Sequence, residues 1–275
     1  MGYQFDHQWE QERARLAALE AVFDPCTQRC IQAVQPESGW RCLEVGAGGG
    51  SVAEWLCSVV APDGVVVATD LETKFVSAIG APNLEVREHN IVSDPLEFES
   101  FDLVHARAVL DHLPERDVVL QRLVEALRPG GWLVVLGGDF STVHATGLPT
   151  DESEFFDNSF ATVVDTARSL GFDPLYGRRL GAAFRAAHLS HVSVEGSIFE
   201  WDANHPLAHL YTLTFQRLRP MVVESKALSE ADFDRLVTMM MATGSVHGLS
   251  NTLFAARGRK VARCVAALAV RLLIA

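Results

Sequence analysis

The stretch Leu43-Glu44-Val45-Gly46-Ala47-Gly48-Gly49-Gly50 constrains this chain more than any other. The apolar run from Trp40 to Val45 reads as a buried strand, and the helix-forming stretch Ser51 to Val60 follows the glycines at once. A strand, a tight glycine turn and a helix N-terminus in that order let a ligand approach backbone N–H groups closely. Gly46, Gly48 and Gly50 are spaced G-x-G-x-G behind Glu44, whereas a dinucleotide fingerprint reads G-x-G-x-x-G without that acid. A nicotinamide oxidoreductase is therefore disfavoured.

The next elements give the turn its meaning. Val65 to Thr69 is a continuous apolar strand that ends at Asp70. An acid at the end of the second strand of a doubly wound sheet can accept bonds from ribose hydroxyls, and Asp70 follows Gly46 by roughly the 20 residues that role expects. Further strands are expected at Leu84 to Glu88, at Phe101 to Ala106 and at Trp132 to Leu136. They end in His89-Asn90-Ile91, Ala106-Arg107 and Gly137-Gly138-Asp139. Between them lie a helix around Phe75 to Ile79, a short turn or helix from Ala108 to His112, and an amphipathic helix from Pro114 to Leu127 that stops at Arg128-Pro129-Gly130-Gly131. Alternating strands and helices predict an α/β, doubly wound sheet with helices on both faces. Its crevice should lie at the carboxyl ends of the strands, where Gly46 to Gly50, Asp70, Asn90, Ile91, Ala106, Arg107 and Asp139 all fall.

Outside this core the patterns are looser. His7 to Phe23 reads as an amphipathic helix capped by Asp6; Asp24-Pro25 is expected to break it, and Cys26 to Val34 to start another. This region either packs on the sheet or closes over a ligand as a lid. In the second half, helices are expected at Asp151 to Leu170, Ala182 to Ala187, Pro206 to Leu218 and Ser229 to Met241, with strands at His191 to Trp201 and Thr252 to Ala256. Met239, Met240, Met241, Phe155, Phe156 and Phe160 either fill the core of a cap or line an apolar pocket, the core reading carrying more weight. Val261 to Ala275 is apolar but interrupted by Arg263 and Arg271. It is shorter than the ~20 apolar residues of a spanning helix, so a docking or oligomerisation helix is expected and stable membrane insertion is not. The divisions that follow are a lid at 1–39, a cofactor-binding core at 40–140, a helical cap with terminal strands at 141–260 and an apolar helix at 261–275.

The net charge of −12 argues against a nucleic-acid surface, which needs a basic face. Five cysteines with no C-x-x-C pair suit a reduced, cytoplasmic protein; Cys26 and Cys30 sit at helical spacing rather than as a metal pair. The N-terminus lacks the apolar core of a signal peptide. No metal-ligand spacing, phosphate-binding loop or nucleophile elbow occurs.

Residues 43–50, Asp70, Phe101 to Pro114 and Arg128-Pro129-Gly130-Gly131 stand in the order and at the separations that resemble class I methyltransferases using S-adenosylmethionine. The resemblance covers roughly Trp40 to Leu136; the flanking segments look more weakly like actinobacterial-type small-molecule methyltransferases. It implies a Rossmann-like sheet of seven strands, mostly parallel with the last antiparallel, under a helical cap. It also implies that Glu44 and Gly46, with Ala47 and Gly48 in the same turn, lie beside the methionine portion of the cofactor. Asp70 would hold the ribose hydroxyls, Leu71 would flank the adenine, Ile91 would offer its backbone N–H to the ring, and the Ala106 carbonyl would take the methionine ammonium. The family usually carries an acid where this chain has Asn90, whose amide oxygen accepts a bond without charge. Arg107 could reach a cofactor carboxylate or an acidic substrate, or form a salt bridge instead.

For a general base, His112 is the first candidate because it follows the fourth strand and titrates near neutrality; a helix-capping role suits it as well. Asp139, at the end of the fifth strand, and His144 are comparable or weaker. The expected activity is methyl transfer to O, N or C of a small organic, secondary-metabolite acceptor. Two rivals stand beside it: a cyclase or isomerase that keeps the cofactor, and a non-catalytic oligomeric binding protein held together through its terminal helices.

Overall fold

The computed structural model describes residues 10–244 and 246–262. The elements are α1 (Glu12–Gln32), β1 (Arg41–Val45), α2 (Ser51–Val60), β2 (Val65–Asp70), β3 (Leu84–Glu88), β4 (Phe101–Arg107), α3 (Arg116–Ala126) and β5 (Leu127–Asp139). After them come β6 (His144–Thr146), α4 (Thr150–Thr166), α5 (Leu180–Ala186), β7 (Ser190–Ser197), β8 (Glu200–Trp201), α6 (Pro206–Glu224), α7 (Glu230–Met241), β9 (His247–Leu249) and β10 (Thr252–Arg259).

Seven strands form one sheet in the order β3-β2-β1-β4-β5-β10-β7. The strands β1 to β5 pair in parallel, while β10 runs antiparallel between β5 and β7. Both faces of the central strands are buried, which is why they read as continuous apolar runs. Leu43, Val45, Val67, Val104, Leu133 and Val135 face α3 and α5, where Leu120, Leu123, Leu180 and Phe184 pack. Cys42, Val66, Ala68, Leu103, Val134 and Leu136 face the other way, against the layer that holds α1, α2, α4, α6 and α7. The expected seven-stranded, doubly wound fold is present, with β10 as its antiparallel member.

Several local expectations are corrected. Pro25 does not break the first helix: α1 runs through it to Gln32. An interior proline costs about 3 kcal/mol, but Phe23, Cys26, Cys30 and Ile31 on either side are buried in the core, and the Thr27 hydroxyl donates to the Phe23 carbonyl at 2.8 Å. Packing outweighs the lost backbone bond. The helix expected at 75–79 is only a 3-10 turn over Val76–Ala78, because Gly80 and Pro82 follow directly. Arg128-Pro129-Gly130-Gly131 does not stay outside β5 but forms its first residues, with Gly130 at φ +85 and its N–H bonded to the Lys260 carbonyl at 3.0 Å.

The strand expected over His191 to Trp201 divides. Its first part, β7, lies at the sheet edge, whereas β8 joins β9 and β6 in a separate three-stranded antiparallel sheet. Ser250 sits at the break, its hydroxyl oxygen accepting from the Phe199 N–H at 2.9 Å and its own N–H donating to the Phe199 carbonyl at 2.9 Å. The Asp6 cap and nearly all of the apolar segment 261–275 lie outside the described residues.

Candidate active site

The glycine turn is held by hydrogen bonds from β2. The N–H groups of Gly46 and Ala47 donate to the Thr69 carbonyl at 2.8 and 3.0 Å, and the Gly48 N–H donates to Asp70 Oδ2 at 2.8 Å. Gly46 has φ +69, and a Cβ there would overlap Val109 in the loop after β4. The turn and that loop therefore meet with no side chain between them, which only glycine allows. Among the described residues Asp70 Oδ1 accepts one long bond, 3.3 Å, from the Glu72 N–H, leaving acceptor capacity at the end of β2.

Glu44 points from β1 onto the face that α1 covers, where its Oε2 lies 2.5 Å from Nδ1 of His105, its register neighbour on β4. Both side chains are buried. Asn90 closes an Asx turn, its Oδ1 accepting from the Val92 N–H at 3.0 Å, so half of the capacity expected for a ligand is already engaged. Leu71 is exposed and Ile91 buried at the same strand ends. Ala106 is buried within β4 and contributes no side-chain surface to the cavity.

The helix α1 lies over the turn. Arg13 and Glu20 pair at 3.1 Å beside Gly49, and Leu16 sits beside Gly48. Deeper in, Glu12 and Arg15 form a buried fork at 2.6 and 2.9 Å. Arg107 reaches up to this helix, donating to Asp24 Oδ1 at 2.7 Å and to Thr27 Oγ1 at 3.0 Å. The alternatives left open by the sequence resolve for that nitrogen as a salt bridge, and a nearly buried one rather than a surface one. Arg107 anchors α1.

Glu44, Gly46, Ala47, Gly48, Asp70, Leu71, Asn90, Ile91, Arg107 and His112 all border one cavity of about 620 Å³. From the glycine turn it runs on past Val109, Asp111 and His112 to a largely apolar chamber. Phe140, Val164, Leu170, Phe172 and the α6 side chains Leu210, Thr214, Phe215 and Leu218 wall that chamber. Tyr211 and Asn251 add a polar spot: the phenol donates to Asn251 Oδ1 at 2.7 Å, and burial pushes it above its ordinary pKa, so it remains a donor. The His112 ring stacks on Phe172 with centroids 4.8 Å apart. Burial lowers its pKa, assisted by Arg15 and Arg116 and opposed by Asp111, so the imidazole is neutral at pH 7.

Asp139 does not border the cavity, and its assignment as a base is corrected. It is buried, bonded to Arg178 Nε at 2.5 Å and to the Ser141 N–H and hydroxyl at 3.1 and 2.8 Å. Burial would raise this carboxyl, but the Arg178 and Ser141 donors outweigh it and hold the pKa below the ordinary value. It is a structural acid. His144 is likewise outside the cavity, paired with Asp157 at 2.5 Å. Phe156, Phe160 and Met240 are core residues, and Phe155 stacks under Arg235. The sequence reading passed over Glu12, Arg15, Asp111 and the α6 wall. The Glu12–Arg15 pair left a local trace, opposite charges three residues apart, and α6 left its helical periodicity.

A glycine turn, an acid at the end of β2 and a crevice at the carboxyl ends of a parallel sheet define a nucleoside-cofactor site of the doubly wound class. Comparison with known proteins narrows this. A methyltransferase-domain family matches residues 43–135. Methyltransferase str3 of Strobilurus tenacellus is 34% identical over 194 residues, covering 69% of this chain and 66% of that protein. Methyltransferase str2 of the same organism is 32% identical over 187 residues, covering 67% and 66%. The chain thus spans slightly under two thirds of each relative. A solved phosphoethanolamine N-methyltransferase 2 of Haemonchus contortus, complexed with phosphomonomethylethanolamine and S-adenosylhomocysteine, shares the fold at TM-score 0.56 and 16% identity, over 95% of this chain and 61% of that one. Residues 43–135 thus form a methyltransferase domain, and the chain is similar over about two thirds of its length to methyltransferases, the class that uses S-adenosylmethionine as cofactor.

The residues present fit that cofactor. Asp70 retains acceptor capacity suited to hydroxyl donors, the Gly46–Gly48 turn borders the cavity, and Glu44 brings a buried carboxylate suited to a cationic ammonium.

Proposed function

We propose that the chain transfers a methyl group from S-adenosylmethionine to a small organic acceptor with a largely apolar body, a secondary metabolite in type. The supporting observation is the single cavity that joins the glycine turn and Asp70 to the chamber walled by Leu210, Phe215 and Leu218. S-adenosylmethionine supplies an already activated methyl group, so the chain's task is chiefly to place the acceptor in line and exclude water. In this reading Asp70 receives the ribose hydroxyls, and Glu44 and the glycine turn receive the amino-acid end. Leu71, Asn90 and Ile91 border the adenine.

The segment Glu12–Gln32 acts as the lid, fastened by Arg107 to Asp24 and Thr27. His112, neutral through burial, is placed to accept a proton from an acceptor hydroxyl or amine at the seam between the two parts of the cavity. The buried free thiols Cys26, Cys30, Cys42 and Cys57 suit a reducing, cytoplasmic setting. Among the described residues no helix is long and apolar enough to cross a membrane.

Calorimetric titration with S-adenosylmethionine and S-adenosylhomocysteine, with NAD as control, tests the reading. Both sulfur ligands are expected to bind, and Asp70→Ala to weaken them about 100-fold, the worth of one or two charge-assisted hydrogen bonds. Mass spectrometry of an acceptor panel then looks for products one methyl heavier. Binding of NAD and of neither sulfur ligand by the folded protein overturns the proposal.

A further inference from the structure

We propose that His105 is a positioning residue for the amino-acid end of the cofactor, acting only through Glu44. The inference rests on the reading above and adds a residue to it.

Glu44 and His105 are register partners on adjacent parallel strands, so their side chains leave the same face of the sheet. Along that face their neighbours two residues back, Cys42 and Leu103, are apolar core. An aliphatic side chain at 105 would continue that layer. Instead there is an imidazole at 0% exposure, with Nδ1 on Glu44 Oε2 and no partner for Nε2 among the described residues. A histidine that left a ring nitrogen unsatisfied only to fill space would be a poor choice. The contact with Glu44 accounts for it.

An ionised carboxylate can only accept, so Nδ1 carries the proton and donates it. That bond takes one oxygen of Glu44, and the Thr69 hydroxyl fixes the backbone of the same residue by donating to the Glu44 carbonyl at 3.1 Å. Among the described residues His105 is the one hydrogen-bond donor to this carboxylate, which nonetheless borders the cavity. A buried carboxyl group with a single partner still has free acceptor sites, and leaving them unpaired is costly. A primary ammonium supplies the missing donors, and the imidazole holds the carboxylate in the rotamer that meets it. Arg107, the next side chain on this face, does not compete, being bonded to Asp24 and Thr27.

The test compares two ligands in calorimetry: S-adenosylhomocysteine, and 5′-methylthioadenosine, which keeps the nucleoside and the sulfur but lacks the amino-acid end. His105→Leu and Glu44→Gln are each expected to weaken S-adenosylhomocysteine about tenfold, the worth of one charge-assisted bond, and to leave methylthioadenosine within about twofold. His105→Asn, whose amide can donate from the Nδ1 position, is expected to hold S-adenosylhomocysteine within about threefold of the parent. The double variant Glu44→Gln/His105→Leu should bind no more weakly than Glu44→Gln alone, because the two act as a unit. Equal losses for both ligands in His105→Leu, or no loss for either, overturn the inference. Should His105→Leu fail to fold, a Glu44→Gln protein with unchanged selectivity between the two ligands overturns it equally. Failure of the underlying reading looks different: the parent protein then binds neither ligand.

Discussion

The two ends of the cavity are made of different material. At the glycine turn the wall includes a stretch of main chain, shaped by positive φ at Gly46 and Gly48 and tied to Thr69 and Asp70 by hydrogen bonds from backbone N–H groups. At the far end the wall is mostly side chain: Phe172 from a loop, Val164 from α4, and Leu210, Thr214, Phe215 and Leu218 from one stripe of α6. A main-chain site recognises a ligand common to a family and tolerates little change. A side-chain wall can be recut residue by residue without disturbing the sheet, which is how one scaffold serves many acceptors.

The largest expected effect falls where the first end depends on a helix outside the sheet. Arg107→Met strips the cation from Asp24 and should cost about 3 kcal/mol of stability in urea unfolding, as breaking a nearly buried pair does. Adding Asp24→Leu should restore most of that loss, and S-adenosylhomocysteine affinity should return with it. Restored stability with affinity still lost would instead make Arg107 a direct cofactor ligand. Next in size is a change confined to the far end. Thr214→Phe should lower turnover of the acceptor found by mass spectrometry by about tenfold or more, since overfilling a pocket by a few methylenes has that scale. S-adenosylhomocysteine affinity should stay within about twofold; a matching fall in both would show that the ends are not separable.

The smallest effect lies at the seam. His112 has a lowered folded-state pKa, so as pH falls through 6.5 the unfolded chain takes up the proton first and the fold loses stability; above that range the linkage is flat. His112→Gln should remove this slope from a pH series of unfolding curves. A slope of the opposite sign in the parent protein would mean that the imidazole is charged in the fold.

The difference between the ends also sets what was legible beforehand. Gly46, Gly48 and Asp70 announce themselves because a positive φ needs glycine and because an acid at a strand end sits at a fixed chain distance from the turn. The apolar runs of β1, β2, β4 and β5 were readable for a similar reason, being buried on both faces. By contrast, Asp139 stands at a strand end too, yet its side chain turns to Arg178, 39 residues on, and no local pattern carries that choice. Pro25 signals a helix end by propensity alone, whereas α1 continues through it because the core on either side holds the helix in place. The small sheet of β6, β8 and β9 escaped notice because strands of two or three residues have no measurable period. The α6 wall is the clearest case: its periodicity announces a buried face, but what that face surrounds is decided by α1 and the glycine turn, more than 150 residues earlier in the chain.

The same long reach bears on how the chain is made. The helix α1 is the first described element to leave a ribosome, yet the surfaces that bury it include α6 and β10, which are among the last. Strand β10 itself fills the slot between β5 and β7, so the sheet cannot close until nearly the whole described chain has emerged. During synthesis the apolar stripe of Val22, Phe23, Cys26, Cys30 and Ile31 lacks the part of its cover that α6 and β10 supply while the first five strands assemble. A nascent chain stalled before residue 206 would carry the glycine turn, Asp70 and the Arg107–Asp24 tether to the N-terminal helix, but would lack the α6 surface that completes the burial of that helix.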